Sequence, residues 1–146
     1  MRVSVIGGSG VTDEQYRQAR RVGELLGERS HELVCGGRTG VMEAACMGAS
    51  EAGGHTIGIL PNEDRAAANE YVETAIATGL GNARNVLVVL NGDAVIAVDG
   101  SSGTLSELGH ALDMGRPVAG LGTHVIDGVE HVESASEAVE YVESIQ

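Results

Sequence analysis

Short runs of apolar, often β-branched residues alternate along almost the whole chain with stretches whose apolar positions recur every three to four residues. The first pattern reads as buried strand and the second as amphipathic helix. Residues 2–6 form the first apolar run, and Gly7-Gly8-Ser9-Gly10 ends it. Thr12 followed by Gln15 has the spacing of a capping box. Tyr16, Ala19, Val22, Leu25 and Leu26 then repeat at helical spacing, which predicts a helix over 13–29. A short strand over 32–35, a turn over 36–40 and a small-residue helix over 41–52 follow, the helix stopped by Gly53-Gly54.

Residues 55–60 read as a third strand, ended by Pro61. The polar, charged stretch 62–69 reads as a mobile loop. A fourth strand is expected over 71–77, and a helix over 83–90 despite its valines. Residues 93–98 form a continuous apolar strand, and the turn 99–103 leads into a helix over 104–114. Gly115 and Pro117 close that helix and open a strand over 118–121. Ser134 and Glu137 have capping-box spacing for a short acidic terminal helix.

Strands that are apolar throughout and alternate with helices indicate a parallel sheet covered on both faces. The expected fold is therefore α/β: a single domain over residues 1–146 with a doubly wound, mostly parallel, Rossmann-like sheet and helices on both faces. No linker, repeat or low-complexity segment divides it.

With no Trp, no Phe and three Tyr, the core must be built from aliphatic residues. The formal net charge is -12, and all nine basic residues are Arg, with no Lys. A net negative surface repels nucleic acid, so no nucleic-acid partner is expected. The acidic, Lys-free surface resembles that of proteins from salt-loving archaea, where concentrated salt screens carboxylate repulsion. Cys35 and Cys46 lack metal-ligand spacing and sit in apolar surroundings, so they are expected to be buried free thiols, and no metal site is expected. No segment is apolar for long enough to span a membrane and no signal-peptide pattern opens the chain, so a cytoplasmic location is expected.

In such a fold, ligands bind at the carboxyl ends of the strands, near the point where strand order reverses. Three glycine-rich turns follow strands here. The first carries Gly8, Ser9 and Gly10, the second Gly36, Gly37, Arg38, Thr39 and Gly40, and the third Gly100, Ser101, Ser102 and Gly103. Unpaired amides at the start of each following helix suit phosphate. The third turn is the richest, because its serines and Thr104 add hydroxyl donors and Glu107 follows one helical turn later. The same residues also fit a plain helix start with an acid complementing the dipole. Arg84, at the start of a helix in the stretch 78–85, is disfavoured by the helix dipole unless it meets an anion; a surface Arg paired with a carboxylate is the other reading. Asp93, Asp99 and Glu43 are further polar candidates, and His110 reads as structural.

Known nucleotide motifs are absent. There is no GxxxxGK[ST], Asp13 stands where a dinucleotide fingerprint needs its third glycine, and the second strand ends in Cys35-Gly36 rather than an acid. A dinucleotide dehydrogenase is not expected.

The segments Gly36-Gly37-Arg38-Thr39-Gly40-Val41-Met42-Glu43, Thr78 to Asn85 and Gly103-Thr104-Leu105-Ser106-Glu107 resemble the LOG family, also labelled "lysine decarboxylase-like". The resemblance is closest to the short branch that includes molybdenum cofactor carrier proteins, and it covers nearly the whole chain. The family signature PGGxGTxxE aligns with Asp99 to Glu107, keeping Gly103-Thr104 and Glu107 but placing Asp99 and Ser101 at the Pro and second Gly. The resemblance implies that Gly103 and Thr104 hold a 5′-phosphate, that Met42 and the second turn line the pocket, and that Arg84 and Glu107 are catalytic. The Lys that follows the family's Arg is Asn85 here. The implied activity is hydrolysis of the N-glycosidic bond of nucleoside 5′-monophosphates. The alternative is a non-catalytic carrier of a phosphorylated cofactor such as molybdenum cofactor. A homodimer or larger homo-oligomer is implied as well, with the small-residue helix 41–52 as a surface for close packing.

Overall fold

The computed structural model describes residues 1–145. Its strands are β1 (Arg2–Gly7), β2 (Glu32–Cys35), β3 (Thr56–Leu60), β4 (Thr74–Ala77), β5 (Ala94–Val98), β6 (Val118–Leu121) and β7 (Val129–His131). Its helices are α1 (Asp13–Glu28), α2 (Val41–Glu51), α3 (Asn85–Leu90), α4 (Ser102–Asp113) and α5 (Ala135–Ser144). The sheet runs β4-β3-β2-β1-β5-β6-β7, and every neighbouring pair is parallel. Chain order thus reverses direction across the sheet between β1 and β5, which places the crevice at their carboxyl ends.

Alternation along the strands divides the core in two. Val3 and Val5 of β1 face α1, α2 and α5, whereas Ile6 faces the layer of α3 and α4. Both layers are aliphatic, as the composition requires. The α1 start follows its sequence signal: Thr12 Oγ1 accepts from Gln15 N–H at 3.2 Å and Gln15 Oε1 accepts from Thr12 N–H at 2.8 Å. At α5, Ser134 Oγ accepts from Glu137 N–H as expected, but the Glu137 carboxylate reaches back to Glu133 N–H rather than to the cap residue.

Several boundaries differ from the pattern. α4 begins at Ser102, two residues early, because the chain turns helical as soon as the third glycine turn allows. The helix expected over 83–90 divides into a 3-10 turn, Gly81–Arg84, and a six-residue α3. The fourth strand shortens to Thr74–Ala77, since Tyr71 and Val72 turn to pack against the core and Thr56 Oγ1 donates to the Tyr71 carbonyl at 2.7 Å. β7 had no apolar run to announce it, for only Val129 of its three residues is buried. The stretch 62–69 holds a 3-10 turn, Arg65–Ala67, and is tied to the second glycine turn: Asn69 N–H donates to the Gly37 carbonyl at 2.9 Å and Arg38 Nη1 to the Ala67 carbonyl at 2.7 Å.

The small residues of α2 have a use within the chain. They let α2 lie close against α1, where Gly23 meets the backbone of Ala45 and Gly48 meets that of Arg20. A methyl group at Gly23 has no room without moving one helix. Gly23→Ala is expected to destabilise by about 1–3 kcal/mol, measured by chemical denaturation. Gly10→Ala, at a position open to solvent, should stay within about 0.5 kcal/mol of the parent.

Candidate ligand-binding site

The turns after β1, β2 and β5 meet Pro61 and the segment after β4 around one cleft of about 380 Å³. Val5, Ile6 and Gly7 form part of its lining, with Ser9 from the first turn. Gly36, Arg38, Thr39 and Met42 come from the second turn and α2, Pro61 from the end of β3, Asn82, Arg84 and Asn85 from the 3-10 turn after β4 and the start of α3, and Ser101, Gly103, Thr104 and Glu107 from the third turn and α4.

The first two turns are locked together by backbone. Val41 N–H donates to the Gly8 carbonyl at 3.0 Å. Gly40, at φ +71, lies so close to the backbone of Gly8 and Ser9 that no side chain fits there. In the third turn Asp99 holds a left-handed φ of 54, an uncommon conformation for a residue with a side chain. Asp99 N–H is anchored on the Leu121 carbonyl at 3.0 Å. Its Oδ2 lies 3.4 Å from where a Cβ on Gly8 would sit, so its carboxylate points against the first turn and is not part of the cleft lining. Ser101 caps α4, and Leu105 N–H makes the first intrahelical bond, to the Ser101 carbonyl. The Ser102 and Gly103 amides precede that bond and carry the positive end of the helix. His124 Nε2 donates to the Ser101 carbonyl at 3.0 Å, which pins the loop after β6 onto this turn.

Arg84 and Glu107 are both 8% exposed and charge-bearing. Arg84 does not use Glu107 as a partner. Its Nε donates to the Ile59 carbonyl at 3.0 Å, Nη1 to Asn85 Oδ1, and Nη2 to the Gly36 carbonyl at 3.5 Å. Among the described residues Glu107 has no hydrogen-bond or ion-pair partner. Burial pushes the Glu107 carboxyl up to about 7, while the charge on Arg84 opposes the rise. Burial also lowers the Arg84 guanidinium from its ordinary value, opposed mainly by Glu107. Below the second turn the Cys35 and Cys46 sulfurs lie 3.4 Å apart, both thiols free and buried, and Gly37 N–H donates to Cys35 Sγ.

Of the residues singled out in the sequence, Ser9, Gly36, Arg38, Thr39, Met42, Arg84, Ser101, Gly103, Thr104 and Glu107 line the cleft. Gly8, Gly10, Gly37, Gly40, Gly100 and Ser102 stand behind or beside it; of these, Gly8, Gly37 and Gly40 shape the backbone. Asp93 accepts Arg2 N–H at 2.8 Å at the other end of the sheet, and Glu43 accepts from Tyr16 OH. Sequence reasoning missed Pro61, Asn82 and Asn85 as lining residues. Asn85 had a signal: it is a polar residue opening an otherwise apolar helix, and it is 6% exposed. Among the described residues no cluster of His, Cys, Asp and Glu could hold a metal ion, and no helix is long and apolar enough to cross a membrane.

A parallel sheet of this order, with a polar cleft at its switch point built from glycine turns and helix starts, defines a Rossmann-like α/β protein with a small-molecule site. The chain belongs to the SLOG cluster4 family, whose model matches residues 1–146. An uncharacterised protein of Archaeoglobus fulgidus is 44% identical over 142 residues, covering 97% of this chain and 93% of that protein. The structure of the molybdenum cofactor binding protein from Rippkaea orientalis superposes with a TM-score of 0.93 at 36% identity, covering 99% of this chain and 96% of that one. The cytokinin riboside 5′-monophosphate phosphoribohydrolase LOG5 of Arabidopsis thaliana is 33% identical over 87 residues, which is 58% of this chain but only 38% of that enzyme.

Because folded Glu107 keeps its proton up to about 7 and the unfolded chain loses it near 4.5, Glu107 lowers stability as pH rises through that window. Glu107→Gln removes the cost. The variant should be more stable than the parent at pH 8 by about 2–3 kcal/mol, with the difference vanishing near pH 4, as measured by denaturant melts across pH.

Proposed function

We propose that the cleft binds a phosphorylated, nucleotide-like small molecule, with molybdenum cofactor and nucleoside 5′-monophosphates as the two ligand classes. The observation that carries this reading is the meeting of the α4 start, at Gly103, with Arg84 and an unpartnered Glu107 in one cleft. In the proposal the phosphate sits on the third turn beside Thr104. The second turn with Arg38, Thr39 and Met42, and the first turn with Ser9, surround the rest of the ligand. The named function of the Rippkaea protein, matched over nearly its whole length, favours binding of the cofactor.

A second reading is hydrolysis of the N-glycosidic bond of a nucleoside monophosphate. It is favoured by the buried carboxyl of Glu107 in the cleft, whose raised proton affinity suits a group that gives or takes a proton at the glycosidic bond or its attacking water. Arg84 would orient the nucleotide. The partial match to the plant phosphoribohydrolase supports the same chemistry.

We also propose that the protein is cytoplasmic, that its acidic, Lys-free surface is an adaptation to concentrated salt, and that it is a homodimer or larger homo-oligomer. The half-exposed Leu90 of α3 and Leu105 of α4 offer apolar surface for such an assembly.

Calorimetry in high salt with phosphate, AMP and molybdopterin tests the binding reading, alongside native mass spectrometry of freshly purified protein. At least one ligand is expected to bind, and failure of all three overturns it. Incubation with AMP tests the second reading. Turnover should release free adenine and ribose 5-phosphate, and Glu107→Gln should abolish it while leaving binding largely intact. Binding with no base released from any monophosphate leaves carriage as the function.

A further inference from the structure

We propose that Asn85 is the positioning residue of this cleft: it holds the Arg84 guanidinium away from Glu107 and so keeps the two charged groups open to a ligand. The proposal rests on the reading of the cleft as a ligand site. Two of the three groups that accept from Arg84 are backbone carbonyls, those of Ile59 and Gly36. The third, Asn85 Oδ1, belongs to a side chain, and it takes Nη1.

The amide can be oriented in only one way. A guanidinium only donates, so the Asn85 oxygen must face it and Nδ2 must face the other side. There Nδ2 donates to Ser106 Oγ at 3.4 Å, and Ser106 Oγ donates to the Gly103 carbonyl at 2.9 Å. A hydrogen-bonded relay therefore joins the guanidinium to the third glycine turn. Asn85 is 6% exposed, so water does not readily replace it.

Without this relay, the electrostatics favour a different arrangement. Two opposite charges in a poorly solvated cleft attract strongly, and Glu107 has no other partner among the described residues. Yet Arg84 and Glu107 form no ion pair. If the Asn85 carbonyl is lost, Nη1 is left unsatisfied in a buried place, and the Glu107 carboxylate is an acceptor in the same cleft. The guanidinium then swings onto the acid and closes the gap. The other charged or titratable groups near this pair are Arg38 of the second turn, which acts on Arg84, and Cys35, which feels both Arg84 and Glu107. The elements packed on α4 add little: α3, β5 and β6 carry no titratable side chain, and β1 carries only Arg2 at its far end.

The test is the titration of the Glu107 carboxyl, followed by carbon NMR in the parent and in Asn85→Leu, Asn85→Asp and Ser106→Ala. In Asn85→Leu the midpoint should fall by about one pH unit or more as Arg84 pairs with Glu107. In Asn85→Asp it should hold or rise, because the new carboxylate grips Arg84 and adds negative charge. In Ser106→Ala it should fall by less than in Asn85→Leu. An unchanged midpoint in Asn85→Leu, or a fall in both Asn85 variants as general loosening would give, overturns the proposal. If Asn85→Leu does not fold, the remaining pair decides it: a fall in Ser106→Ala with none in Asn85→Asp supports the relay, and any other pattern overturns it. AMP binding by calorimetry on the same proteins separates the two readings. A parent that binds no AMP yet shows these shifts removes AMP as a ligand and leaves the positioning role standing.

Discussion

Arg84 is a buried cation whose hydrogen bonds go to the chain's own carbonyls rather than to the nearby buried acid. That choice ties together the end of β3, the turn after β2 and the start of α3. Both carbonyls lie at or just beyond the carboxyl ends of parallel strands, β3 and β2. The same choice also leaves Glu107 without a partner in a place where burial disfavours its charge. The folded chain therefore holds a group that weakens it, the usual sign of a site kept for binding or chemistry rather than for stability.

The rest of the architecture serves to hold these groups apart at a fixed spacing. The sheet order brings the turns after β1 and β5 side by side, and the backbone lock between Gly8 and Val41 adds the turn after β2. Small residues on α1 and α2 let those helices approach closely, so α2 starts where its first turn reaches the cleft. Asp99 is the costly element, with a left-handed backbone at the end of β5 and a carboxylate turned toward Gly8. That orientation explains how an acid can occupy the third turn while the helix start beside it remains suited to an anion.

Much of this was legible in the chain itself. Apolar strands alternating with helices fixed the α/β class, and strand-ending glycines marked where the cleft would lie. Arg84 and Glu107 stood out because their charges sat at helix starts or one turn beyond. The missing parts are of a different physical kind. Pro61, Asn82 and Asn85 reach the cleft through the crossing of segments far apart in sequence, which no local period records. β7 is too short and too exposed to leave a pattern, and the small face of α2 gave no hint whether it met α1 or another molecule. The relay from Arg84 to Gly103 depends on hydrogen bonds between α3 and α4, so it emerges only with the packing.

In the proposed reading the gap between Arg84 and Glu107 is a ligand's place, with the third turn as its anion seat. A crystal structure of the protein grown with AMP tests it most directly. The phosphate is expected within hydrogen-bond reach of the Ser102 and Gly103 amides, the ribose between Arg84 and Glu107, and Arg84 still bonded to the Ile59 carbonyl. A direct Arg84–Glu107 ion pair filling the cleft, with AMP absent or seated elsewhere, would contradict it.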